Sequence, residues 1–141
     1  MMFRGRPQRS KSRIVDYRHL NEVLSKDPRR GKILITRRPP FEVKAPNVRK
    51  VWVTKVPHPE AVPPTKLHVI EQIIWNQLNK TASDVILDAF EYLMIENGVE
   101  PTLRFVGKMR DMTLMRDSEF YVTVSNGLDE RVLNILRRIV E

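Results

Sequence analysis

No cysteine occurs among the 141 residues, so disulfides, thiolate nucleophiles and cysteine-bound metals are excluded, and the redox compartment is left open. Glycine is scarce as well: the five glycines are not clustered and supply no Gly-rich loop to cradle a phosphate. No apolar run approaches the ~18 residues that span a bilayer, and the N-terminus lacks the apolar core of a signal peptide. The chain is therefore expected to be soluble and to stay on the side of the membrane where it is made. The three histidines, His19, His58 and His68, lie in separate segments with no second ligand at metal spacing, and read as surface or packing residues. Neither a nucleophile elbow nor a local Ser/His/Asp signature is present. The residues thus give no support to an enzyme, a metal or a cofactor, and none is expected.

What is abundant is positive charge, and it is unevenly placed. Met1 to Lys66 holds 17 Lys and Arg against five acids, a net +12, whereas the remaining 75 residues carry a net −4. Such an asymmetry suggests that one part meets a polyanion while the other does something else. Nine of the ten prolines also precede Thr65. Proline fixes its own φ and pushes the preceding residue out of the helical region, so Arg37 to Pro64 reads as an extended strap. Residues 3 to 13 have five cations and nothing to pack, which reads as a segment disordered when free. A short amphipathic helix is predicted over Ile14 to Lys26. Ile33 to Ile35 is extended or a second short helix, and Val48 to Val56 is a strand or a strap whose Trp52 enters a neighbour's groove.

The composition changes at Thr65. Apolar residues at helical spacing predict helices over Thr65 to Asn79, Ser83 to Glu96, Pro101 to about Met115 and Leu128 to Val140. Thr81 and Asp84 have the spacing of a capping box. Phe120 to Ser125 alternates like a strand, yet a bundle could override that propensity. The fold class expected is all-α: a C-terminal four-helix bundle, 65–141, for subunit packing, carrying a long basic, partly helical, proline-rich N-terminal arm, 1–64, that wraps nucleic acid. A unit of ~75 residues buries little more than ~60% of its surface, so an oligomer is expected.

Asp84, Asp88 and Glu91 recur at i, i+4 and i+7, a spacing that reads as a solvated acidic helix face rather than a cation site. Met94, Met109, Met112 and Met115 read as core gap-fillers. In the arm, Tyr17, Phe41 and Trp52 interleave with cations as phosphate and sugar contacts require. The nucleic-acid-binding candidates are Arg4, Arg6, Arg9, Lys11, Arg13, Arg18, Arg29, Arg30, Lys32, Arg37, Arg38, Arg49 and Lys50. With no reading helix or zinc finger, backbone contact without base readout is expected.

The basic N-terminus (Gly5, Arg6, Pro7, Arg9, Ser10, Ser12, Arg13), the Phe120-Tyr121-Val122 run, Gly127, and the final apolar Val132-Leu133 and Ile139-Val140 resemble the major capsid proteins of filamentous and rod-shaped double-stranded DNA viruses of hyperthermophilic archaea. The resemblance covers about 35 residues and the overall layout. It implies a virion structural protein that dimerises, with itself or with a paralogous subunit, and whose arms clamp double-stranded DNA in an A-like form within a helical nucleocapsid assembled in the host cytoplasm. The strap from Arg37 to Pro64 departs from the pattern in length and charge. A second resemblance, over Lys80-Thr81-Ala82, Asp88-Ala89-Phe90 and Gly98-Val99-Glu100-Pro101, is to the head-nucleating small-subunit ribosomal protein, the seventh in the usual count. It implies an RNA-binding protein, but that family's basic hairpin is missing. A cellular chromatin module is the third reading.

Overall fold

Short apolar runs alternate with helices through most of the chain. In the computed structural model, which describes residues 11–141, those runs are strands of one sheet. They are β1 Ser12–Asp16, β2 Lys32–Thr36, β3 Val48–Val53, β4 Ala61–Val62, β5 Asp84–Asp88 and β6 Phe120–Val124. The helices are α1 Leu20–Ser25, α2 Leu67–Lys80, α3 Phe90–Asn97, α4 Val99–Met115 and α5 Glu130–Val140. All strand pairs are parallel, in the order β1-β6-β5-β2-β3-β4. No helix among the described residues is long and apolar enough to cross a membrane.

The all-α expectation is thus corrected to α/β, and the arm and the four-helix bundle with it. Ser83 to Glu96 is not one helix, because Asp84–Asp88 is a central strand and only Phe90–Asn97 is helical. A strand of a parallel sheet is covered on both faces and so reads as a continuous apolar run, which periodicity alone cannot tell from a buried helix. Thr81 accordingly caps the end of α2, and Asp84 opens a strand instead of closing a capping box. The helix predicted over Ile14 to Lys26 is strand β1, one 3-10 turn and then the six-residue α1. Ile33, Leu34 and Ile35 are completely buried in β2, between β3 and β5. The prolines of the supposed strap fall outside the strands and α-helices, as their missing N–H groups require: Pro39 after β2 and Pro40 opening a 3-10 turn, Pro46 before β3, Pro57 and Pro59 before β4, Pro63 and Pro64 before α2. Phe120–Val124 follows its strand propensity, and α2, α4 and α5 match the predicted helices to within a few residues.

The two faces of the sheet are covered unequally. Ile33, Ile35, Val51, Val53, Val85, Leu87, Phe120 and Val122 face α2, α3, α4 and α5 in the larger core. On the other face Leu34, Ile86 and Tyr121 pack under Leu20, Val23 and Leu24 of α1 and under Val43. The strand order explains this division, because a parallel crossover is right-handed. The chain steps from β1 to β2, β3 and β4 in one direction across the sheet, then returns to β5 and β6 in the other. The outward crossovers lie on the α1 face and the return crossovers on the opposite face.

Candidate functional site: a crevice at the carboxyl edge of the sheet

That reversal creates a site. After β2 the chain turns to the α1 face, and after the adjacent β5 it turns to the α3 face. The two loops therefore diverge and leave a gap between them. The same divergence recurs between neighbouring β1 and β6. In open parallel sheets such switch points, beyond the carboxyl ends of the strands, are where ligands bind. A crevice of about 510 Å³ lies there, lined by residues that include Tyr17 after β1, Arg37 and Arg38 after β2, Asp88 of β5, Tyr92 and Ile95 of α3, and Thr123 of β6. Its volume is in the range of small-molecule sites.

The strand register sets its floor. Thr36 pairs with Asp88 across β2 and β5, and Thr123 of β6 lies on the other side of the same carboxylate. The Thr36 hydroxyl donates to Asp88 Oδ2 at 2.6 Å and the Thr123 hydroxyl to Oδ1 at 2.6 Å. Each carboxylate oxygen thus has one hydroxyl donor and keeps lone-pair capacity. The backbone N–H of Arg38 donates to the Thr36 hydroxyl at 3.0 Å, which fixes the start of the loop. Glu91 is committed elsewhere: it accepts from the Ser125 N–H at 2.7 Å and hydroxyl at 2.6 Å, tying α3 to the end of β6.

The two arginines of this edge are held without a close carboxylate partner among the described residues. The Arg37 guanidinium lies 3.7 Å above the centre of the Tyr92 ring, a cation–π contact, and its carbonyl accepts from Trp52 Nε1 at 3.1 Å. Arg38 Nε is 3.7 Å from Asp88 Oδ2, a loose ion pair. Tyr17 is 45% exposed on the opposite rim. Beside it, hydrogen bonds from the Arg18 guanidinium and backbone N–H hold the Asp16 carboxyl down at about 2. The arrangement offers two planar guanidinium forks, an acceptor carboxylate and an exposed aromatic ring, the combination that recognises an anion attached to a flat polar body.

One family model, described as a protein of unknown function, DUF835, matches residues 16–140. The chain belongs to the DUF835 family. No curated protein matches it. The DUF835 match begins at Asp16 and so takes in the loops that build the crevice.

In this DUF835 chain the described cations expected to line an arm are dispersed over the fold. Arg4, Arg6 and Arg9 lie outside the described residues. Lys11, Arg13 and Arg29 are exposed, and Arg18 is paired with Asp16. Arg30 and Lys32 sit at the amino edge of the sheet, where Arg30 Nε bonds Asp84 at 2.8 Å and Lys32 Nζ bonds the Asp27 carbonyl at 2.9 Å. Arg49 bonds Gln77 at 3.1 Å and Lys50 the Pro40 carbonyl at 3.0 Å. Among the described candidates, only Arg37 and Arg38 line the crevice. Asp84, Asp88 and Glu91 do not share a helix face: they mark the start of β5, its end, and α3. Thr36, Thr123 and Tyr92 were not among the sequence candidates, Tyr17 was read only as an aromatic of the arm, and Asp88 only as part of a solvated helix face. The available signal was Asp-Val-Ile-Leu-Asp, an apolar run bounded by polar residues that suits a parallel strand and places a carboxylate at its exit.

Proposed function

We propose that this protein is a ligand-binding module for a phosphorylated small molecule carrying a planar polar group, of the nucleoside phosphate class. The observation that carries the reading is the pair Arg37 and Arg38 at the switch point beside the hydroxyl-braced carboxylate of Asp88. Guanidinium forks match phosphate oxygens in a bidentate manner. The remaining lone pairs of Asp88 suit a sugar hydroxyl or an amino group, and Tyr17 offers a ring to stack on. Nothing in this arrangement calls for bond-making by the protein, and the proposal is of recognition.

Isothermal titration calorimetry of the full chain tests it, with adenosine diphosphate, ribose 5-phosphate and inorganic phosphate as separate probes. Saturable binding of adenosine diphosphate, ~10-fold or more tighter than inorganic phosphate and weakened by Arg37→Ala, is the expected result. Equal affinity for all three reduces the site to a phosphate cradle, and no saturable binding by a cooperatively melting chain rejects the proposal.

A second reading is that the chain packages double-stranded DNA as a subunit of a helical capsid, paired with itself or a paralogue. It is favoured by the exposure of Lys11, Arg13 and Arg29 and by the three further arginines of the N-terminal segment. Electron microscopy with random-sequence duplex DNA separates the two: regular filaments of constant diameter support packaging, and bare DNA removes it.

A further inference from the structure

The sheet ends on an incomplete strand. β4 has only two residues, pairing Trp52 with Ala61 and Val53 with Val62, whereas β3 has six. In a parallel ladder the N–H and C=O of one residue point to the same side and successive residues alternate. Trp52 N donates to Glu60 O at 2.9 Å and Thr54 N to Val62 O at 3.1 Å, so even-numbered residues of this stretch address the β4 side. Odd-numbered ones address β2, as Asn47 O does in accepting from Lys32 N at 3.1 Å. By the same alternation the N–H and C=O of Val48 and Lys50 point outward, and no backbone group among the described residues meets them. The group that would have continued the ladder has turned away: Glu60 N donates to His58 Nδ1 at 3.0 Å.

Beside this open edge runs a groove of about 370 Å³, floored by Val69 and Ile73 of α2 and closed at one end by Pro59 to Val62. The edges of natural sheets are normally covered or guarded by charge projecting across them. Here neither cation guards the edge: the Lys50 ammonium is drawn over the sheet face to the Pro40 carbonyl and the Arg49 guanidinium to Gln77 on α2. Both have neutral partners, and Glu60 is the one acid among the described residues lining the groove, so Arg49 and Lys50 leave its rim with a net single positive charge.

We propose that the β3 edge from Val48 to Val51 is a docking site for an extended acidic peptide segment of another protein, which adds a strand beside β4 and lays apolar side chains on Val69 and Ile73. A second copy of this chain suits the edge poorly, because self-pairing sets Arg49 and Lys50 against the same residues of the other copy. The site is independent of the crevice, which lies at the carboxyl edge of other strands.

Fluorescence polarisation of the full chain with a labelled Glu-Val-Glu-Val-Glu-Val peptide tests this. The expected result is saturable binding that falls ~10-fold or more when alternate peptide nitrogens are methylated, since about two ladder hydrogen bonds are lost. Replacing Glu by Lys in the peptide weakens binding comparably. Val48→Pro, which removes one outward N–H at the first strand position where proline is tolerated, weakens it while leaving adenosine diphosphate binding unchanged. Equal binding of the methylated or Lys peptide overturns the proposal, as does no binding of the acidic peptide by a folded chain. Light scattering that shows a dimer dissociated by Val48→Pro overturns it too, assigning the edge to a second copy.

Discussion

The two ends of strand β5 carry the same side chain in opposite circumstances. At its amino end Asp84 is enclosed: one carboxylate oxygen accepts from Arg30 Nε at 2.8 Å and from the Glu119 N–H at 2.9 Å, and Arg30 also donates to the Ser118 hydroxyl at 2.5 Å. Lys26, at the end of α1, reaches over the same region to Glu119 at 3.4 Å and the Tyr121 hydroxyl at 3.1 Å, and the Tyr121 hydroxyl donates to Glu119. At its carboxyl end Asp88 is braced by two neutral hydroxyls, its nearest guanidinium stands off at 3.7 Å, and the space in front is open. A closed ion pair fixes the crossing of α1 over the sheet. An open one leaves charge available to a ligand. The chemistry of the residue does not distinguish the two roles; the direction of the loops does, since only at the carboxyl edge do they diverge.

The sharpest way to break this comparison is to remove Asp84. Asp84→Ala leaves the half-buried Arg30 guanidinium without its anion, a loss of about 3 kcal/mol, at the lower end for a buried pair, and urea unfolding is expected to show it with adenosine diphosphate affinity retained by the folded fraction. Arg37→Ala is expected to do the reverse. Loss of a charged hydrogen bond to phosphate, worth about 1.5–3 kcal/mol, lowers affinity roughly tenfold or more, while the melting temperature changes little because the side chain is exposed.

A smaller effect sharpens the contrast through pH. The folded-state pKa of Asp16 is lowered from 3.8 to about 2 by its hydrogen bonds from Arg18, so its contribution to stability is present above pH 3.8 and is lost as the pH falls towards 2. Asp16→Asn should therefore be less stable than the parent at pH 5, and the difference should close by about pH 2 in acid-unfolding curves. At the alkaline end the Tyr121 hydroxyl is raised by burial and by Glu119, and the Lys26 ammonium by its hydrogen bond to Tyr121. Both shifts are upward, so this contribution holds below pH 10 and is lost as the pH rises through the folded values. The smallest change is expected at the exposed Arg104–Glu100 pair on α4, where Arg104→Ala should cost no more than ~0.5 kcal/mol in the same unfolding assay.

Much was already written into the sequence. Apolar periodicity sufficed for α2, α4 and α5, because amphipathic helices declare their buried face at a period of 3.6, and Phe120 to Val124 shows its strand propensity. The absence of cysteine and of a Gly-rich loop, the uneven charge and the proline positions are also facts of sequence. What the sequence alone did not decide is which apolar runs are strands buried on both faces: Asp84–Asp88 fits a helical stripe as well as a strand until β2 and β6 flank it. Nor did it decide the role of its cations. Arg30 and Arg37 sit seven residues apart in one basic stretch, yet the sheet places one against Asp84 at its closed edge and the other over Tyr92 at its open edge. Long-range strand order settles both questions, because the partners of each charge lie some 50 to 90 residues away in the chain and meet only when the parallel sheet has formed.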